Sequence, residues 1–228
     1  MFRKTRCANL ALIVILLGSV YCLGVCGQSV NVLDASINLN ARSVRPDRFF
    51  ANLAEAKNVS IGFEFIDSEK CGMPITFSAK KMKLRDVLDG IISLMPCYKW
   101  TENNGVVAIR PVDNEAGFLQ TKVNELVLAD VLYSDIGPQI LANENIASEI
   151  DKRKFKVGYC SLDEPGFMKT TWAPESYFSD LKNARMNYAF NGLTLEQILD
   201  KMLVNKNARY WVMRIDEKDK SVALVVNH

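Results

Sequence analysis

The chain has 228 residues, of which 49% are hydrophobic and 24% charged, with six cysteines and a formal charge of +2. That balance excludes a disordered tail, a collagen-like fibre, a polytopic membrane protein and a small disulfide-stapled toxin. At roughly 100 to 150 residues per domain, it fits one large domain or two small ones, each able to bury a core.

Arg3, Lys4 and Arg6 precede an apolar stretch from Ala8 to Val25, and polar Gln28 and Ser29 follow. This is the layout of a secretory signal with a small-residue exit at Val25-Cys26-Gly27. Residues 1–27 therefore read as a signal peptide, and the chain as exported and periplasmic or envelope-associated. A retained membrane anchor is the alternative, since an apolar run of about 18 residues can just span a bilayer. Lipidation at Cys26 is a further option, because Leu23-Gly24-Val25-Cys26 looks like a bacterial lipobox except at Val25. Apart from this segment the chain carries 25 basic and 26 acidic residues. No net positive field is then left to attract nucleic acid.

Three cysteines fall inside the signal, leaving Cys71, Cys97 and Cys160. An oxidising compartment favours pairing. Cys71 with Cys97 is the expected disulfide, at the two ends of one strand-and-helix unit, with three buried free thiols as the alternative. None of the three has metal-ligand spacing, so no zinc site or other metal is expected.

The elements then follow in order. Ile37 to Leu39 alternates as a strand, and Pro46-Asp47 opens a helix with Phe49, Phe50, Leu53, Ala54 and Ala56 on one face, ending near Asn58. Ile61, Phe63 and Phe65 alternate with Gly62 and Glu64 as a half-buried strand. A strand at Ile75 to Ser78 leads into a helix with Leu84, Val87, Leu88, Ile91, Ile92 and Met95 at helical spacing. Asn104-Gly105 takes positive φ at little cost and closes a hairpin between the strands around Trp100 and Val107.

The second half repeats this pattern. Leu84 to Asp89 and Leu195 to Asp200 share Leu, two variable residues, Val or Ile, then Leu-Asp. The helices match at an offset of 111, Tyr98 matches Tyr210 at 112, and Val107-Ala108-Ile109 matches Val222-Ala223-Leu224. Val123 to Leu128 reads as a strand, the stretch around Ile136, Ile140 and Leu141 as a weak helix interrupted by Gly137-Pro138, and Phe155 to Tyr159 as a strand. Thr194 with Gln197 makes a capping box before the last helix. The expected fold is α+β: two tandem small domains at 28–114 and 118–228, each strand-helix-strand-strand-helix-strand-strand with two helices between small sheets. The second carries an insertion at about 161–185.

Asn58-Val59-Ser60-Ile61-Gly62-Phe63, the Ile75 strand, Leu84-x-x-Val87-Leu88 and the Tyr98 to Ile109 hairpin together resemble the STN module. That module is the signalling and secretin amino-terminal domain found ahead of bacterial secretin pores and some TonB-dependent receptors. The likeness covers about residues 35–112 well and 120–226 loosely, and it is carried by core residues. It implies a periplasmic protein-docking domain with two helices sandwiched between small sheets.

Reactive chemistry has little to draw on. The single histidine, His228, is the last residue, where fraying opposes a fixed catalytic geometry. Glu64, Asp67 and Glu69 cluster near one strand end, and Asp216, Glu217 and Asp219 in the last hairpin turn, each read as a solvated turn rather than a cation or sugar site. Lys80-Lys81-Met82-Lys83 reads as a solvated basic face, and Asn58-Val59-Ser60 fits a glycosylation acceptor. No P-loop, dinucleotide fingerprint or EF-hand spacing occurs. No catalytic residue and no cofactor is expected.

The aromatic residues are the best candidates for a working surface. Trp172, Tyr177 and Phe178 lie in the insertion, and Trp211 on a hairpin strand; large apolar groups of this kind often anchor a partner. Small sheets also offer edge strands to extended peptides. The expectation is a non-enzymatic docking protein of the bacterial cell envelope that binds another envelope or secreted protein through sheet edges and the aromatic insertion. It would meet the membrane only through an uncleaved signal or lipid anchor. The competing classes are a carbohydrate- or small-ligand-binding or hydrolytic protein with a carboxylate and aromatic groove between the copies, and a structural envelope component.

Overall fold

The computed structural model describes residues 32–113, 117–158, 184–205 and 208–227. The fold is mixed α+β. The first half runs β1 (Ser36–Val44), α1 (Pro46–Lys57), β2 (Ser60–Asp67), β3 (Ile75–Lys83), α2 (Leu84–Ser93), β4 (Tyr98–Asn103) and β5 (Val106–Pro111). The second runs β6 (Lys122–Leu132), α3 (Ile136–Leu141), α4 (Glu144–Lys152), β7 (Lys156–Val157), β8 (Arg185–Thr194), α5 (Leu195–Val204), β9 (Tyr210–Asp216) and β10 (Ser221–Asn227).

Local chemistry sets the boundaries. α1 starts on Pro46 and stops at Asn58, whose left-handed backbone (φ 53°) returns its N–H to the carbonyl of Ala54. Asn104 and Gly105 both have positive φ and close the β4–β5 hairpin. At α5, the Thr194 side chain accepts from the Gln197 N–H while the Gln197 side chain accepts from the Thr194 N–H, completing the capping box. Where one weak helix was expected after β6, two short ones form. α3 accommodates Gly137-Pro138 in its first turn, and Asn143 caps α4, which buries Ile146 and Ile150. Gly137 lets α3 approach β10 closely, since a Cβ there would stand 2.0 Å from the carbonyl oxygen of Leu224.

Each half pairs two strands apart from the rest, β1 with β3 and β6 with β8. The remaining six strands form one sheet in the order β4-β5-β2-β9-β10-β7. The halves thus contribute the same strand sequence twice, end to end, and meet where β2 runs parallel to β9. Inside each half the first pair of strands is antiparallel and the second parallel. With β2 and β9 parallel, the second triplet runs opposite to the first, as if turned over about an axis crossing the strands.

Turning the second half over puts the two cores on opposite faces of the shared sheet. Ile61, Phe63 and Phe65 of β2 join the core of α1 and α2, while Ile66 packs against that of α3, α4 and α5. β9 divides in the same way: Tyr210 and Val212 belong to the first core, Trp211, Met213 and Ile215 to the second. α1 lies over β2 and β9; on the other face α5 lies over β2 and β5, and α3 over β10. The central strands are therefore covered on both sides, so β2, whose alternation suggested one buried face, buries Gly62 and Glu64 as well as Ile61, Phe63 and Phe65.

Cys71, in the β2–β3 connection, and Cys97, just before β4, are joined in a disulfide with Cα atoms 5.6 Å apart. Among the described residues, no helix is long and apolar enough to cross a membrane.

Candidate functional site

The two halves repeat one polar contact. Trp100 Nε1 of β4 donates to Asp89 Oδ1 of α2 at 2.8 Å, and Trp211 Nε1 of β9 donates to Asp200 Oδ1 of α5 at 3.2 Å. Both pairs are 11 residues apart, and each tryptophan and each aspartate is shifted by 111 from its counterpart. Trp211 is thus the equivalent of Trp100, and the match of Tyr98 to Tyr210 is off by one residue. The final strands need a larger adjustment: Trp100 lies opposite Ile109, and Trp211 opposite Val226. Ile109 therefore corresponds to Val226 in the hairpin ladder. Between these partners the second hairpin is six residues longer: two in the turn, which Asp216 and Ser221 close where Asn103 and Val106 close the first, and two on each strand.

In the second half this contact is covered by the first half. Trp211 sits opposite Gly62 in the parallel ladder, and a Cβ on Gly62 would stand 2.6 Å from its ring. The Arg110 guanidinium lies over the indole at 4.5 Å, a cation–π contact shielded from water. Arg110 Nε donates to Glu196 Oε1 at 2.8 Å, and Nη1 to the carbonyls of Gly62 (2.6 Å) and Ile109 (2.9 Å). Its Nη2 faces Asp200 at 4.0 Å. Gln120 donates to the other oxygen of Glu196. α5 thus presents two carboxylates to an arginine of the first half, and the indole of Trp211 lies against that guanidinium.

Burial changes the acids in this region. Glu64, on the same face of β2 as Gly62, is 2% exposed. Burial pushes its carboxyl up to about 7, opposed by Arg110, reinforced by Glu196 and opposed by Arg153. Burial also raises Asp200, against the pull of Arg110 and the Trp211 hydrogen bond, with Glu196 adding to the rise. Across the opposite face, Glu55 is raised by burial against a hydrogen bond from Tyr210 and the charge of Arg209.

These positions correct parts of the sequence reading. Trp211 is fully buried inside the molecule, so it anchors the two halves and is not available to a partner. Glu64 is not part of a solvated turn, because β2 is a central strand covered on both faces. Asp67 is bound by Arg214, whose Nε donates at 2.9 Å, and lies 3.7 Å from Arg45. Asp216 accepts the backbone N–H groups of Lys218 and Asp219 and organises the turn. The Asn58 side chain accepts a hydrogen bond from Arg209. Trp172, Tyr177, Phe178, Cys160 and His228 lie outside the described residues, as do residues 1–27.

No group of three or more His, Cys, Asp or Glu that could hold a metal occurs among the described residues. A surface groove of about 440 Å³ runs between the one-turn 3-10 helix Phe118–Gln120 and α4. Its carboxylate, Glu149, accepts from Arg153 at 2.7 Å and from Lys152 at 3.5 Å.

The open counterpart of the covered contact is on β4. Among the described residues that strand is an edge of the sheet. Val112 donates its N–H to the Cys97 carbonyl, and antiparallel pairs alternate. Lys99, Thr101 and Asn103 therefore face β5 with their backbone groups, while Trp100 and Glu102 turn theirs outward. Trp100 is half-buried, and Lys99, Thr101, Glu102 and Asn103 are exposed. β4 thus presents the equivalents of the tryptophan and the strand edge with which β9 meets β2, and α2 the equivalent of the α5 aspartate that the tryptophan binds. The chain matches no protein-family model, and its sequence matches no curated protein.

Proposed function

We propose that this chain is an exported, non-enzymatic docking protein of the cell envelope, whose β4 edge takes an extended strand from another envelope or secreted protein. The observation that carries the reading is the occupied state of the equivalent edge. β9 pairs with β2 over seven residues, with Trp211 against Gly62. Strand addition of this kind draws affinity from main-chain hydrogen bonds and specificity from alternate side chains. A partner strand would meet outward backbone groups at Trp100 and Glu102 and need a small residue opposite Trp100. The Cys71–Cys97 bond supports export, since disulfides persist in oxidising compartments. The STN-like pattern of core residues supports a periplasmic docking role.

The test compares proteins retained from an envelope extract by the intact chain and by Glu102→Pro. Proline removes an outward N–H without touching the β4–β5 ladder. A specific protein retained by the first and lost with the second, at unchanged melting temperature, is the expected outcome. Retention of glycans, or turnover of one, with no protein retained would favour the carboxylate groove instead.

A further inference from the structure

Among the described residues the sheet ends in β4 on one side and β7 on the other, and the two ends are complementary. β4 is the open equivalent of β9, and at the other end β7 is the equivalent of β2. Val59-Ser60-Ile61-Gly62-Phe63-Glu64 parallels Phe155-Lys156-Val157-Gly158-Tyr159-Cys160 in sequence, with the glycine in the same place. The ladders agree: Ser60 and Ile61 pair with Val106 and Val107, and Lys156 and Val157 with Ser221 and Val222, both parallel. Gly158 continues this pairing by donating its N–H to Val222 at 2.8 Å. Val157 is 47% exposed.

Resting on the docking role of the β4 edge, we infer that the strand it takes is β7 of a second copy of this chain, so that molecules join end to end through their sheets. The joint repeats the internal one. Tyr210 and Trp211 lie opposite Ile61 and Gly62, and the same register sets Lys99 opposite Val157 and Trp100 opposite Gly158. Trp100 would occupy the space left free by the missing side chain of Gly158, as Trp211 does at Gly62. The faces agree as well. Gly62 lies on the face opposite the helices of its own half, where α5 of the next half covers it. Gly158 lies on the face opposite α3, α4 and α5, where α2 of an incoming copy would sit.

The side chains that differ between the two joints differ as a pair. Glu196 of α5 corresponds to Arg85 of α2. Arg110, which Glu196 binds, stands two residues beyond Ala108, the partner of Gly62 in the β2–β5 ladder; counted in the same way from Gly158 along the β7–β10 ladder, that place is held by Val225. A cation at both positions would repel; an arginine and a valine do not. The joint is heterologous, one surface meeting a different one, so each added copy leaves a new β4 and a new β7 free. Growth therefore does not stop at a dimer.

The test measures weight-average mass by sedimentation equilibrium over a rising concentration series of the full chain. The intact protein is expected to pass beyond two chains, while Gly158→Val and Glu102→Pro each stay at one. Gly158→Val suits the purpose because, among the described residues, a Cβ there meets nothing closer than Ser221 at 3.4 Å; melting temperature checks that the fold is kept. In parallel, Lys99→Cys and Val157→Cys proteins are expected to form a mixed disulfide on oxidation that neither forms alone. A mass that remains at one chain, that stops at two, or that rises equally in Gly158→Val would overturn the inference, as would absence of the mixed disulfide. If the chain stays monomeric yet still retains another envelope protein in a Glu102→Pro-sensitive way, only the identity of the partner is wrong. Loss of both results removes the docking role of β4 as well.

Discussion

The indole of Trp211 fills the space that a side chain on Gly62 would occupy, with Cε2 and Cζ2 only 2.6 Å from the position of a Cβ. The contact joins residues from different halves, on the parallel strands β9 and β2. A glycine in a strand interior weakens the strand and is retained where another group approaches closely. Here the approaching group is the largest side chain of the second core. Gly62→Ala should therefore destabilise the protein by about 1–3 kcal/mol, the usual cost of overpacking a filled interior. Gly158→Ala, whose nearest neighbour among the described residues is 3.4 Å away, should change stability far less. Urea denaturation of the two variants compares them directly; an equal effect would mean that Trp211 moves aside freely.

Arg110 holds the same joint electrostatically. Its side chain is 14% exposed and lies among Glu196, Asp200 and the Trp211 ring. Replacing it with methionine keeps much of the stem but leaves two carboxylates near Glu64 without their cation. Removing one partner of a buried ion pair typically costs about 3–5 kcal/mol. Arg110→Met should approach that range, and Arg110→Met with Glu196→Gln should lose less than the two single changes added together. A double-mutant cycle in urea gives the coupling; additive losses would show that the pair does not act as one unit.

What the sequence made legible was local. The Asn58 stop, the Asn104-Gly105 turn and the Thr194–Gln197 box each depend on a few adjacent residues whose backbone preferences are strong, and each formed where expected. The repeated helices were legible because both bury the same spacing of apolar residues. The join was not. Parallel pairing of β2 with β9 brings together residues about 150 apart and leaves no local signature, so Trp211 read as a surface anchor and Glu64 as part of a solvated cluster. The second-half helix α4 did leave a signal, Ile146 and Ile150 four residues apart behind a capping Asn143. The match at β10 is shifted because the second hairpin is six residues longer between Trp211 and Val226 than the first between Trp100 and Ile109, two in the turn and two on each strand.

The disulfide spans the chain between β2 and β4, closing β3 and α2 into a loop of 26 residues. Cross-linking a loop of this size restricts the unfolded chain and stabilises the fold by about 3 kcal/mol. Cys71→Ser with Cys97→Ser should lower stability by that order while leaving the second core intact. A reductant should lower the melting temperature of the parent protein and leave the double variant unchanged. If the reductant has no effect on the parent, the bond contributes nothing to stability.

Glu64 makes stability depend on pH in a direction opposite to that of an ordinary ion-paired carboxylate. Its ordinary value is 4.5, and burial raises it to about 7 in the folded chain. Below 4.5 the carboxyl is neutral in both states and costs nothing. Between 4.5 and 7 the unfolded chain releases the proton and the folded chain keeps it, so the unfolded state binds fewer protons and stability falls as pH rises. Above 7 both are ionised and the loss is complete, on the order of 3 kcal/mol. Burial of Asp200 and Glu55 raises them as well and adds to the same slope. Glu64→Gln should flatten most of it, leaving the variant more stable than the parent above pH 7 and little changed below 4.5. Urea midpoints across that range test the sign; a parent chain whose stability rises with pH through this window would place Glu64 in an ion pair that holds its charge when buried.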